Sequence, residues 1–194
     1  YMGYKAGGVG VITGDSNVAI GSNAMLDATS AATSVFIGAN SGGEPISGSR
    51  SAALTGASNV CLGFQTGYRL TSGYSNVLIG RDVGVNLTDG ADNIAIGAYA
   101  LDAANLGEHQ NIAIGTNALG TETSGADGCV AIGHGALMDQ NVVNAANTAV
   151  GYNAAMNLDD GVDNVFLGYQ ACGSGVVTES GNVVIGKDAA LKAT

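Results

Sequence analysis

Tryptophan is absent from this chain, proline occurs once, and lysine and arginine together occur only six times in 194 residues. Each scarcity excludes something. A nucleic-acid surface needs basic side chains clustered on one face. Here Lys5, Arg50, Arg69, Arg81, Lys187 and Lys192 are scattered through a chain of formal charge −10. No nucleic acid and no anionic membrane surface is therefore expected as a partner. Charged residues make up 11% of the chain, too few to clothe the outer faces of ordinary surface helices. No apolar run approaches the ~20 residues that span a bilayer, so membrane insertion by this segment is not expected. Tyr1-Met2-Gly3 lacks the basic and apolar sections of a signal peptide, and the chain reads as part of something longer or as a processed product.

What the chain does have is glycine, 32 residues of it, and 46% hydrophobic content carried mainly by Ala, Val and Ile. That apolar surface is enough to offset the ordering entropy that would leave a Gly-rich linker disordered. A five-residue unit, Asn-apolar-apolar-apolar-Gly, recurs ten times, with Ser34 and Cys129 standing in for the Asn in two copies, ending at Gly21, Gly38, Gly63, Gly80, Gly97, Gly115, Gly133, Gly151, Gly168 and Gly186. The Gly-to-Gly spacings are 17, 25, 17, 17, 18, 18, 18, 17 and 18, and Tyr1-Met2-Gly3 ends an eleventh unit. A period this regular is the signature of stacked repeats.

An aliphatic triplet between Asn and Gly is too short for a helix and reads as a strand bounded by turns. Three places after each Gly comes a small or apolar residue, such as Ala24, Val83, Ala118 or Ala154, which suggests a second short strand. A polar or Gly-rich loop then returns to the next Asn. The expected fold is all-β, a parallel β-solenoid of about 10–11 short coils of 17–18 residues in a single array over 1–194, uncapped at both ends. Stacking at about 4.8 Å per coil makes it roughly 50 Å long. The Gly ladder predicts positive φ or close approach of a neighbouring backbone. The Asn ladder predicts amides bonded to backbone and to one another.

Alternate strand residues face opposite sides. Assigning the first and third triplet positions (Val18 and Ile20, Ile112 and Ile114) to the coil interior turns the middle one outward: Ala19, Phe36, Cys61, Leu78, Ala95, Ala113, Ala131, Ala149, Phe166 and Val184. All ten are apolar. A strand apolar on both faces is buried on both, so the middle column is expected to form the axis of a homotrimer.

The units Asn-Val-Ala-Ile-Gly (17–21), Asn-Ile-Ala-Ile-Gly (93–97 and 111–115) and Asn-Thr-Ala-Val-Gly-Tyr-Asn-Ala (147–154) resemble the head repeats of trimeric autotransporter adhesins. They are equally similar to related repeats of phage tail fibres and bacterial surface fibres. The resemblance covers essentially the whole chain. It implies a left-handed parallel β-roll, three chains about one axis, and an extracellular location on a bacterial cell surface or a virion fibre. The repeats here are longer than those of adhesin heads, which favours the tail-fibre type.

Residues for catalysis do not assemble in the sequence. His109 and His134 lie in different loops, no Gly-Lys-Ser/Thr phosphate loop occurs, and no Cys-x-x-Cys or His pair has zinc-ligand spacing. No enzyme is expected, and no cofactor. Asp89, Asp92, Asp159, Asp160 and Asp163 sit among glycines in a composition that suits calcium, but their spacing matches no calcium loop and they read as solvated turn carboxylates. Cys61, Cys129 and Cys172 are too many coils apart to pair within the chain, and they read as small buried hydrophobes. Threonine, which forms flat ladders on ice-binding solenoids, is scattered among loops.

The one long interval inserts a loop at about 43–50. Insertions in solenoids project from one face and often carry binding. Arg50, Phe64, Tyr68, Arg69 and Tyr74 are the resulting candidates for contact with a cell-surface glycan or protein. The functional expectation is a structural and adhesive segment of a trimeric fibre for surface attachment. The alternative is a self-assembling structural filament with no receptor.

Overall fold

The structure, a computed structural model, describes residues 1–8, 12–43, 53–103, 108–121, 125–140, 145–158, 161–173 and 179–190. The triplet of every repeat unit forms a strand: β1 (Val18–Ile20), β2 (Val35–Ile37), β3 (Val60–Leu62), β4 (Val77–Ile79), β5 (Ile94–Ile96), β6 (Ile112–Ile114), β7 (Val130–Ile132), β8 (Thr148–Val150), β9 (Val165–Leu167) and β10 (Val183–Ile185). Each pairs in parallel with the next, in sequence order, as one ten-stranded sheet. A parallel sheet in strict chain order with single-residue register is a β-solenoid, and no helix occurs among the described residues.

Register is preserved throughout, so equivalent residues stack in columns: Ala19 on Phe36, Phe36 on Cys61, Cys61 on Leu78 and onward to Val184. Two features hold that register. Gly115, at φ +137°, directly faces the backbone of Gly133, and a Cβ there would strike the Gly133 carbonyl. Both expected reasons for the Gly ladder therefore apply together. The Asn column is buried from Asn59 to Asn164, and each amide links one coil to the next. Asn76 Oδ1 accepts the backbone N–H of Asn93 at 3.1 Å, while Asn76 Nδ2 donates to the Gly90 carbonyl at 2.8 Å. Asn111, Asn147 and Asn164 repeat the arrangement.

Two expectations are corrected. The limb after each Gly is not a second strand. Residues two and four places after the Gly take left-handed backbone angles, as at Asn117 (φ 57°) and Leu119 (φ 48°), so the limb is a chain of turns. Its small third residue still points inward: Ala24, Val83, Ala118 and Ala154 are fully buried.

The larger correction concerns the triplets. Ala19, Phe36, Cys61, Leu78, Ala95, Ala113, Ala131, Ala149 and Phe166 are all 0% exposed within this single chain, with Val184 packed partly against the same cluster. They fill the coil interior and are not an intermolecular axis. The outward residues are the first and third of each triplet. The physical reason is that the middle side chain meets the coil's own turn limb, where Gly42 makes room for the Phe36 ring and Ala fills five of the ten levels. The first and third residues, mostly Val and Ile, stand outside.

Candidate interaction surface

Because register never slips, the outward triplet residues form two straight columns. One runs through Val18, Val35, Val60, Val77, Ile94, Ile112, Val130, Thr148, Val165 and Val183, the other from Ile20 to Ile185. Thr148 is the sole polar member. Val18, Ile20, Ile37, Ile94, Ile132, Val165, Leu167, Val183 and Ile185 are exposed, and the others are half-buried. Nine inter-strand steps give a strip about 43 Å long. A contiguous apolar strip of this length is the kind of surface that soluble chains cover with a partner.

The strip is flanked by a corner column made of the residue after each Gly. Here the coils are again laced together, the N–H two places after one Gly donating to the carbonyl one place after the preceding one, as in Asn153 to His134 and Gln170 to Tyr152, both at 2.8 Å. Towards the last coils this corner carries rings. His134 stacks on Tyr152 (centroids 5.0 Å apart, planes 13°), Tyr152 stacks on Tyr169 (5.3 Å, 10°), and the Lys187 ammonium lies 5.6 Å from the Tyr169 ring centre. In an earlier coil, Arg81 of the same column lies 5.7 Å from the ring of Tyr99, which is two places after Gly97. With ring faces turned to one another along the column, the surface presents ring edges and phenol hydroxyls. The sequence reading missed this ladder. Reading the residue after each Gly at the 17–18 spacing would have found it.

The loop candidates do not converge. Phe64 occupies the aromatic corner column and is exposed, and Tyr74 is exposed just before the next Asn. Tyr68 and Arg69 belong to the turn limb between them, with Arg69 exposed and its N–H donating to Val85. Residues 44–50, including Arg50, lie outside the described residues.

Threonine is less scattered than it looks in the sequence. Thr13, Thr29, Thr55, Thr71 and Thr88 fall along one seam of successive coils, with the hydroxyls of Thr13, Thr55 and Thr71 each donating to the carbonyl of the next Thr. The seam is a single file whose hydroxyls serve inter-coil bonding, not the flat double row of an ice-binding face.

Asp92 and Asp163 are exposed at equivalent corner positions four strands apart, and Asp89 accepts from Thr88 Oγ1. Asp159 and Asp160 lie outside the described residues. Among the described residues no three His, Cys, Asp or Glu side chains gather as metal ligands. His109 is tied into the coil wall, its Nδ1 accepting from Ala91 N–H at 3.1 Å and its backbone N–H donating to Asp127 Oδ1 at 2.7 Å. All three cysteines are buried and none is in a disulfide, and burial pushes the thiols of Cys61 and Cys172 upward in pKa. Among the described residues no helix is long and apolar enough to cross a membrane. A scan of protein-family models and searches of curated proteins and of solved structures returned no match.

Proposed function

We propose that this chain is a structural and adhesive segment of a trimeric fibre, extracellular and carried on a bacterial cell surface or a virion, with the Val/Ile strip of each protomer turned to the common axis. The observation that carries this reading is the pair of outward apolar columns, which a solenoid working alone would make polar. Identical strips on identical chains suit a self-partner, because the repeat that sets the spacing on one protomer sets it on the next. The number three, the left-handed coil and the location rest on the resemblance of the Asn-Ile-Ala-Ile-Gly unit to fibre repeats. Adhesion draws support from exposed rings beside the strip, Phe64, Tyr74, Tyr152 and Tyr169, which suit a glycan or protein ligand.

Sedimentation equilibrium of the chain tests the assembly. A discrete trimer is expected. Ile96→Asp with Ile114→Asp should give a monomer that keeps the β-sheet circular dichroism of the parent. A chain that stays monomeric at every concentration sinks the reading, and open-ended polymers favour the filament. Loss of cell or glycan binding on Phe64→Ala with Tyr74→Ala, the trimer intact, would place adhesion on these exposed rings.

A further inference from the structure

At the seventh strand the asparagine ladder is interrupted. The position that other units fill with Asn, or once with Ser34, is Cys129, and a thiol cannot replace an amide as both donor and acceptor. Gln140, from the return limb of the same coil, fills the gap, and its side chain is 0% exposed. Gln140 Oε1 accepts from Asn147 Nδ2 at 3.1 Å, Gln140 Nε2 lies 3.4 Å from Cys129 Sγ, and Sγ lies 3.7 Å from Oε1. The Cys129 Sγ is also 3.8 Å from the Asp127 carbonyl. A sulfur nucleophile is thus held against both terminal atoms at the edge of a carboxamide, where water does not reach.

We propose that Cys129 and Gln140 condense into an intramolecular thioester that stitches this coil shut. The Cys129 sulfur adds to Gln140 Cδ, and its proton passes to Nε2, the amide atom nearest to it. The Cδ–Nε2 bond then breaks, ammonia leaves, and the Sγ–Cδ bond remains. No oxidant or reductant enters. Asn147 Nδ2–H points at the oxygen on which negative charge develops, as an oxyanion donor must. It is itself fixed, with Nδ2 also on the Gly161 carbonyl at 2.8 Å and Oδ1 accepting from Asn164 N–H at 2.8 Å. Sγ sits in hydrogen-bonding position at the edge of the amide, so the carboxamide has to turn its face to the sulfur before attack.

Two features favour the product. Elsewhere in the ladder the side-chain N–H groups end on oxygen, whereas Gln140 Nε2 is directed at sulfur, a weak acceptor. Loss of ammonia removes that poorly matched buried donor and leaves the Asn147 bond to the carbonyl oxygen in place. The released ammonia is protonated in bulk water, which starves the reverse step, and exclusion of water protects the thioester from hydrolysis.

The test is the intact mass of the full chain, measured in acidic denaturant. The expected mass is lower than that of the sequence by one ammonia, and two of the three cysteines should alkylate after unfolding. Unfolding in methylamine should restore the third thiol and leave a methylamide at residue 140, located by peptide fragmentation. Cys129→Asn supplies the ladder's own residue and so keeps the column, and it should show its full sequence mass, as should Gln140→Met. A parent chain of full mass with three alkylatable thiols overturns the proposal. A deficit that persists in Cys129→Asn overturns it equally, because the ammonia then came from another residue.

Discussion

The backbone N–H and the side-chain Nδ2 of Asn93 both end on Asn76 Oδ1, at 3.1 and 3.0 Å, inside a column sealed from solvent. Asn93 passes the same service on: its Oδ1 takes the Asn111 N–H at 3.0 Å and its Nδ2 donates to the Glu108 carbonyl at 2.7 Å. Three coils therefore meet at one side chain. Asn93→Ala strands a buried N–H and a buried carbonyl, and should destabilise the chain by about 2–4 kcal/mol. Asn93→Asp should be worse, because it loses the Nδ2 donor and sets a carboxylate against the Asn76 and Glu108 oxygens. Urea unfolding followed by circular dichroism measures both. An aspartate variant as stable as the parent would show that the ladder does not bind the coils.

Two glycines separate crowding from conformation. Gly115 has a positive φ and a neighbouring backbone in the path of any Cβ, whereas Gly128, at φ +68°, has open space around it. Gly128→Ala should cost about 1–2 kcal/mol, the left-handed penalty alone. Gly115→Ala adds a collision with the Gly133 carbonyl that only a shift of the coil relieves, and its loss of thermal stability should be clearly larger. Equal losses would mean that coil spacing gives way freely.

Asp102 makes stability depend on pH in an unusual direction. Burial raises its pKa first, the nearby Asp82 carboxylate raises it further, and the backbone hydrogen bond at Val85 opposes both. Its Oδ1 is buried without a hydrogen-bond partner. Between the unfolded and the folded pKa the folded state binds more protons, so this group's contribution to stability falls as pH rises through that window. At neutral pH it is destabilising, and acidification towards the unfolded pKa relieves it. Asp102→Asn should therefore raise the neutral-pH urea midpoint and remove this part of the pH dependence. A variant less stable than the parent at neutral pH would contradict the assignment.

The ladders were legible in the sequence because every coil imposes the same demand on Asn93 and Gly97, and a demand repeated ten times survives as a period. The phase of the triplet was harder to read. Three apolar residues in a row carry no alternation, so Val-Ala-Ile fits either parity. The signal was present in another form: an Asn amide that bonds coil carbonyls has to point inward, and in a strand the residue two places on, Ala95 after Asn93, points the same way. Small side chains at that position reported a cramped interior and not a close approach of three chains. The ring ladder at His134, Tyr152 and Tyr169 was hidden for a different reason. Its column is variable in type, with Ser22 and Ala39 at other levels, and chemistry confined to one end of an array does not show as periodicity.

Phe166 and Leu167 put that parity to a direct test. Phe166 lies fully buried between Ala149 and Val184, while its neighbour Leu167 is 44% exposed on the outward strip between Val150 and Ile185. Removing the ring in Phe166→Ala opens a cavity that a rigid coil cannot close, at about 3–5 kcal/mol. Leu167→Ala should cost the isolated protomer less, about 1 kcal/mol, because much of that residue stays exposed within the same chain. In sedimentation the order reverses. At temperatures where both variants remain folded, Leu167→Ala should weaken self-association by shaving the strip, and Phe166→Ala should leave the association constant close to that of the parent. Finding the large stability loss at Leu167, with association sensitive to Phe166, would restore the opposite parity and remove the basis for turning the Val/Ile strip towards a partner.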